Sequence, residues 1–317
     1  MRFIRHLLPA IALAFSAQLA AAPQVATSIK PVDDLVRAVM EGVGEPVRLI
    51  PPGSSPHTYA LKPSERMAAE KADVLFWIGP DVETALAKVT KALRPSTRII
   101  ALSTVPDIEL LPARTGGDWE RKRPAPQRND HAHDHDHDEH NHDGSYDGHL
   151  WLSPANASMI VRAATTTLSA ADPEHAAQYA ANAEKAIRRL EVLDNELKAK
   201  LAPVANKPFI VFHDAYQYFE HAYGLRAAGS ILVSPEAMAG AKRVSEMRTK
   251  INALGATCVF AEPQFEPRLV QTLIEGTKAR AGSLDPLGAK LPSGLDGYEQ
   301  LLRNLADNLA GCLSAQN

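Results

Sequence analysis

Six histidines, His131, His133, His135, His137, His140 and His142, alternate mostly with Asp and Glu between positions 130 and 143. Imidazole and carboxylate groups at this density are ligands for transition metals. The run has no apolar residue after Ala132. It cannot bury itself and is expected to be a mobile, solvated tether that collects metal. His149 differs, because Leu150, Trp151 and Leu152 follow it and draw that segment into a core. His213 directly ends the apolar stretch Phe209-Ile210-Val211-Phe212, and His57 follows residues 47–50 through a Pro-rich loop. Taken singly, a histidine at a strand end is more often a satisfied structural residue than a ligand. The His-rich run raises all three, since it points independently to metal handling. Three imidazoles suit zinc, which takes nitrogen ligands at tetrahedral angles. The fourth position is left to Asp285, after residues 279–284, or to water. His175 is expected at the surface, and His221 as a structural or surface residue. An acceptor behind each ligand histidine is required, but the sequence does not identify it.

The elements that must position these residues follow a repeated rhythm. Strands are expected at 25–28, 47–50, 74–78 and 98–102, with helices at 33–40, 63–71 and 80–93 between them. Strand alternating with helix predicts an α/β lobe with a mainly parallel sheet flanked by helices. Residues 104–148 break the rhythm, and about 116–143 are expected to lack order. A helix at 155–169 returns to the first lobe. Asp172 is expected to cap a long helix from 173 to 201, with Ile187, Leu190, Val192, Leu193 and Leu197 as its apolar stripe. At ~1.5 Å per residue such a helix is roughly 43 Å long, enough to run rigidly beside two lobes. The rhythm then restarts. Strands are expected at 209–212, within 225–232, at 257–261 and at 279–284. Helices are expected at 216–223, 241–254, 267–275 and 298–313. The resulting organisation is an N-terminal lobe over 23–171, a linking helix over 172–202 and a C-terminal lobe over 203–317. Ligands in open α/β sheets gather at the carboxyl ends of strands. His57 and His149 come from the first lobe and His213 from the second, so a cleft between lobes is where they meet.

Residues 1–22 read as a secretory signal peptide: a basic start with Arg2 and Arg5, an apolar run, then small residues. Export to the periplasm of a Gram-negative cell is expected, as a soluble protein without a lipid anchor. Loss of Arg2 and Arg5 takes the formal net charge from -3 to -5. That is not the footprint of a nucleic-acid binder. In an oxidising compartment Cys258 and Cys312 suggest one disulfide, with two buried thiols as the alternative.

Four motifs, in order, carry a family resemblance: Pro51-Pro52-Gly53-Ser54-Ser55-Pro56-His57-Thr58-Tyr59, Asp147-Gly148-His149-Leu150-Trp151-Leu152, Phe212-His213-Asp214-Ala215-Tyr216 and Leu284-Asp285-Pro286-Leu287-Gly288. With them the chain resembles the metal solute-binding proteins of ABC importers, cluster A-I, over essentially its whole mature length. Within that family it is similar to the zinc-uptake branch, of the ZnuA type. The resemblance implies two α/β lobes joined by one backbone helix, with His57, His149 and His213 as metal ligands. It places Asp285 where manganese-binding relatives have a carboxylate ligand. Those relatives often carry Glu at the third position, and His213 here favours zinc. Some zinc-binding members have a Glu just before the first ligand. Pro56 stands there, which leaves Asp285 or water as the fourth ligand. The resemblance also implies a Cys258–Cys312 disulfide.

The implied function is capture of zinc(II), assisted by the His-rich loop, and delivery to the membrane permease of a zinc ABC importer. The implied protein is a monomer, with a periplasmic zinc chaperone as a further candidate partner. No phosphate-binding P-loop is present, so the ATPase is another chain. Two alternatives stand beside this reading. One is a periplasmic zinc buffer or chaperone whose main site is the His-rich run. The other is a hydrolytic zinc enzyme, for which the chain lacks a His-Glu-x-x-His motif.

Overall fold

The computed structural model describes residues 22–114, 119, 146–232, 240–255, 258–265 and 268–314. Residues 1–21 of the stretch expected to be a signal peptide, and the histidines of the run, lie outside the described residues. In the first lobe β1 (Val25–Thr27), β2 (Val47–Arg48), β3 (Val74–Trp77) and β4 (Arg98–Ala101) form a parallel sheet in the order β2-β1-β3-β4. In the second, β5 (Phe209–Val211), β6 (Ala227–Ser230), β7 (Cys258–Ala261) and β8 (Arg280–Ser283) repeat that order as β6-β5-β7-β8, again parallel. In both sheets the strand order reverses, between β1 and β3 and between β5 and β7, and such a switch point opens a crevice at the carboxyl ends of the strands.

The helices are α1 (Lys30–Val39), α2 (Pro63–Lys71), α3 (Thr84–Thr90), α4 (Pro154–Ala171), α5 (Ala176–Leu201), α6 (Gln217–Tyr223), α7 (Ala241–Leu254), α8 (Arg268–Ile274) and α9 (Leu295–Ser314). The long helix differs from expectation at its start. Pro173–His175 form a 3-10 turn, and Asp172 makes no side-chain cap. Its Oδ2 instead meets His175 Nδ1 at 2.7 Å and accepts from the Tyr179 hydroxyl at 2.9 Å. From Ala176 the α-helix runs unbroken for 26 residues, about 39 Å. Tyr179, Ala183, Ala186, Leu190, Leu193, Leu197 and Leu201 are its buried face. Val192, assigned to that stripe from spacing, is 67% exposed. The buried face packs on α1, α4 and α9, so α5 touches both lobes.

A second difference lies before α3. Residues 80–83 are not helical, because Glu83 turns back to accept from the backbone N–H of Ile78 (2.8 Å) and Gly79 (3.4 Å). Burial pushes this carboxyl up to about 7, against the pull of those hydrogen bonds. In the second lobe Cys258, on β7, is disulfide-bonded to Cys312, on α9. The bridge fastens the strand whose end enters the cleft to the closing helix. Trp119, inside the stretch expected to lack order, docks on the second lobe: its backbone N–H donates to Ala228 O at 3.2 Å. Its ring stacks 3.8 Å below the Arg114 guanidinium.

Candidate metal centre

His213 follows β5 and Glu262 follows β7, two adjacent strands at the switch point of the second sheet. His57 sits in a turn in which Thr58 N and Tyr59 N both donate to Ser55 O. His149 is fixed by the apolar residues behind it. Trp151 is fully buried, donates its indole N–H to Pro286 O at 2.8 Å, and has its own carbonyl capped by the Tyr298 hydroxyl at 2.6 Å. Gly148 is required between Asp147 and His149, since a Cβ there would lie 1.8 Å from Val82 Cγ2.

These elements bring the three imidazoles together. His57 Nε2 and His149 Nε2 are 3.2 Å apart, and His213 Nε2 lies 3.4 Å from His149 Nε2. One nitrogen from each ring lies within 4.8 Å of the others. Nitrogen ligands about 2.0–2.1 Å from a tetrahedral ion stand about 3.3–3.4 Å apart, so the observed spacing is that of a shared cation.

The opposite ring nitrogens explain the orientation. His149 Nδ1 meets Asp147 Oδ1 at 2.7 Å, and His213 Nδ1 meets Glu262 Oε1 at 2.8 Å. A carboxylate only accepts, so each Nδ1 carries a proton, which leaves Nε2 as the nitrogen of the neutral ring that can face a metal ion. The Nε2 atoms of buried His149 and His213, 3.4 Å apart, can share either a proton or a metal ion. The sequence did not single out Asp147 and Glu262 as these acceptors. The available signals were Asp147 two residues before His149 and Glu262 at a strand end.

The two outer histidines differ electrostatically. Burial pulls the His57 pKa well below 6.5, and the neighbouring imidazoles lower it further. Burial is the largest single effect on His213 and disfavours its charge, but Glu262, Asp214 and Asp147 together outweigh it and raise the pKa above 6.5.

Asp285 is not one of the three groups that converge. Its Oδ1 accepts from Gln264 Nε2 (2.8 Å) and Leu287 N (3.0 Å), and its Oδ2 from Ala289 N (2.9 Å). His175 is held by Asp172, and exposed His221 lies 3.3 Å from Glu109. The cavity at the three rings has a volume of about 10 Å³.

One cluster was invisible in the sequence. Arg114 reaches across the cleft to Asp214, the residue after His213, with its Nε 3.0 Å from Oδ2. It also donates to both carboxylate oxygens of Glu220, at 3.1 and 2.9 Å.

Known proteins share this arrangement of lobes. The structure matches the periplasmic zinc binding protein TroA from Treponema pallidum with a TM-score of 0.75 at 21% identity, covering 92% of this chain and 99% of that one. It matches a crystal structure of ZnuA with a TM-score of 0.74 at 24% identity, covering 92% and 99%. At these identities the likeness concerns the fold. In sequence, the high-affinity zinc uptake system protein ZnuA of Brucella suis is 48% identical over 312 residues, covering 92% of this chain and 91% of its own. The protein of the same name from Yersinia pestis is 36% identical over 294 residues, covering 92% of each. The family described as zinc-uptake complex component A, periplasmic, matches residues 25–312, and the chain belongs to that ZnuA family.

Proposed function

We propose that this protein captures zinc(II) between His57, His149 and His213 in the periplasm and delivers it to the permease of an ABC-type importer. The supporting observation is the convergence of three Nε2 atoms, two of them on rings oriented by Asp147 and Glu262. Three neutral imidazoles suit zinc better than manganese, which prefers oxygen. Water takes the fourth position. The small cavity at the three rings, about 10 Å³, and the lack of a His-Glu-x-x-His motif support a carrier over a hydrolase. No helix among the described residues is long and apolar enough to cross a membrane. In this reading the protein is a periplasmic monomer, and membrane passage and ATP hydrolysis belong to other chains.

The His-rich run acts as a tethered weak ligand that raises the zinc concentration near the cleft. Competitive zinc titration of a chain lacking residues 130–143, against a chelator of known affinity, tests the division of labour. One tightly bound zinc per chain is expected to remain. Loss of tight binding with the run would make the run the main site and the protein a zinc buffer.

A further inference from the structure

Gln264 lines the same cavity as the three histidines. It leaves β7 two residues after Glu262, the acceptor behind His213. Its Nε2 donates to Asp285 Oδ1 at 2.8 Å. The partner fixes which end of the amide is which, because a carboxylate takes only donors. Oε1 therefore faces away from Asp285. It is buried and has no hydrogen-bond partner among the described residues. Buried polar atoms are nearly always paired, and an exception calls for a missing partner.

The rest of the cavity wall narrows what that partner is. Apart from the histidines, Ser55 and Gln264 are the polar lining residues, and Trp151, Phe265 and Leu287 close the site with apolar surface. A water bound to a metal ion gives one lone pair to the ion, and its polarised O–H groups become strong donors that call for an acceptor on the side away from the metal. A pinned amide oxygen is such an acceptor and adds no charge.

We propose that Gln264 Oε1 completes the fourth side of the cleft by accepting a hydrogen bond from the water carried by the bound metal, and that Asp285 acts by aiming this amide. The proposal rests on the three-histidine reading of the site. It gives Asp285 a positioning role. Two backbone N–H groups and the Gln264 amide hold its carboxylate away from ligation.

The test compares wild type with Gln264→Met, Asp285→Ala and the double variant. Zinc affinity is measured by chelator competition, and the visible absorption of the cobalt(II) form reports the ligand geometry. Gln264→Met keeps the side-chain length and removes the acceptor. It should still bind one metal per chain, with affinity lower by roughly tenfold, the weight of one charge-assisted hydrogen bond, and with an altered cobalt spectrum. Asp285→Ala should reproduce that spectrum, and the double variant should add nothing further. Because Asp285 also holds Leu287 and Ala289, the Gln264→Met result alone decides if Asp285→Ala does not fold. Wild-type affinity and an unchanged cobalt spectrum in Gln264→Met would overturn the proposal. So would a large further loss when Asp285→Ala is added to Gln264→Met, which would make Asp285 a ligand. Failure of the underlying reading looks different: wild type would not bind zinc tightly, or His213→Ala would bind it as well as wild type.

Discussion

Replacing His213 by alanine lowers zinc affinity on the order of 10²–10³-fold. A site worth about 10–16 kcal/mol shared among four ligands loses about 3–4 kcal/mol with one of them, and each 1.4 kcal/mol is about tenfold. His57→Ala and His149→Ala should fall in the same range, all three read by chelator competition. Proton competition gives the same site a pH signature. Zinc needs the Nε2 lone pair, so a proton on His213 opposes binding. Glu262 raises the His213 pKa above 6.5, so apparent affinity begins to fall above 6.5 as pH drops and then declines by about tenfold per pH unit for the one proton displaced. His57, pulled well below 6.5, contributes no early competition. In the metal-free protein the sign is reversed. The protonated His213–Glu262 pair stabilises the fold fully below the unfolded value of about 6.5 and ceases to do so as pH rises through its raised value. Glu262→Gln removes the raising charge. It should cost about 10–100-fold in affinity at neutral pH and move the fall in affinity to lower pH. A titration series between about pH 5 and 8 measures both effects. An unmoved midpoint would mean that another group sets the profile.

Arg114→Ala should destabilise the protein by about 3–5 kcal/mol, because it leaves buried carboxylates without their cation. The guanidinium is 18% exposed, while the Asp214 and Glu220 side chains are 19% and 9% exposed. Burial pushes both carboxyl groups up, and Arg114 pulls both back. Lysine should restore only part of the loss, since it cannot place a planar fork between two carboxylates. Denaturant unfolding measures the change. A loss under 1 kcal/mol would show the cluster to be screened like an ordinary surface pair. Zinc affinity should fall with stability, because Asp214 is the residue next to His213.

The legible parts of this protein were those with a local signature. Apolar runs punctuated by turn residues marked the parallel strands, and His57, His149 and His213 stood at the ends of such runs. Their partners carried no such mark. Arg114 and Asp214 are separated by 100 positions, and Glu262 by 49 from His213. Only folding reveals which carboxylate an imidazole meets. Residues 80–83 read as helix because the sequence does not show that Glu83 spends its carboxylate on the preceding backbone. Val192 read as core because apolar type was weighed above its angle on the helix. Asp285 followed a strand as His213 does, but three donors converge on its carboxylate.

One hydrophobic cluster runs from Val25 in β1 through Tyr179 and Leu197 in α5 and Phe209 in β5 to Leu313 in α9, while the other two clusters each stay within one lobe. The lobes are thus two in outline but share their central packing. A lobe exchanged for that of a relative would bring half of an interdigitated core cut to fit a different partner. A change confined to a loop or the surface leaves that layer intact, whereas a change within it is felt by both halves.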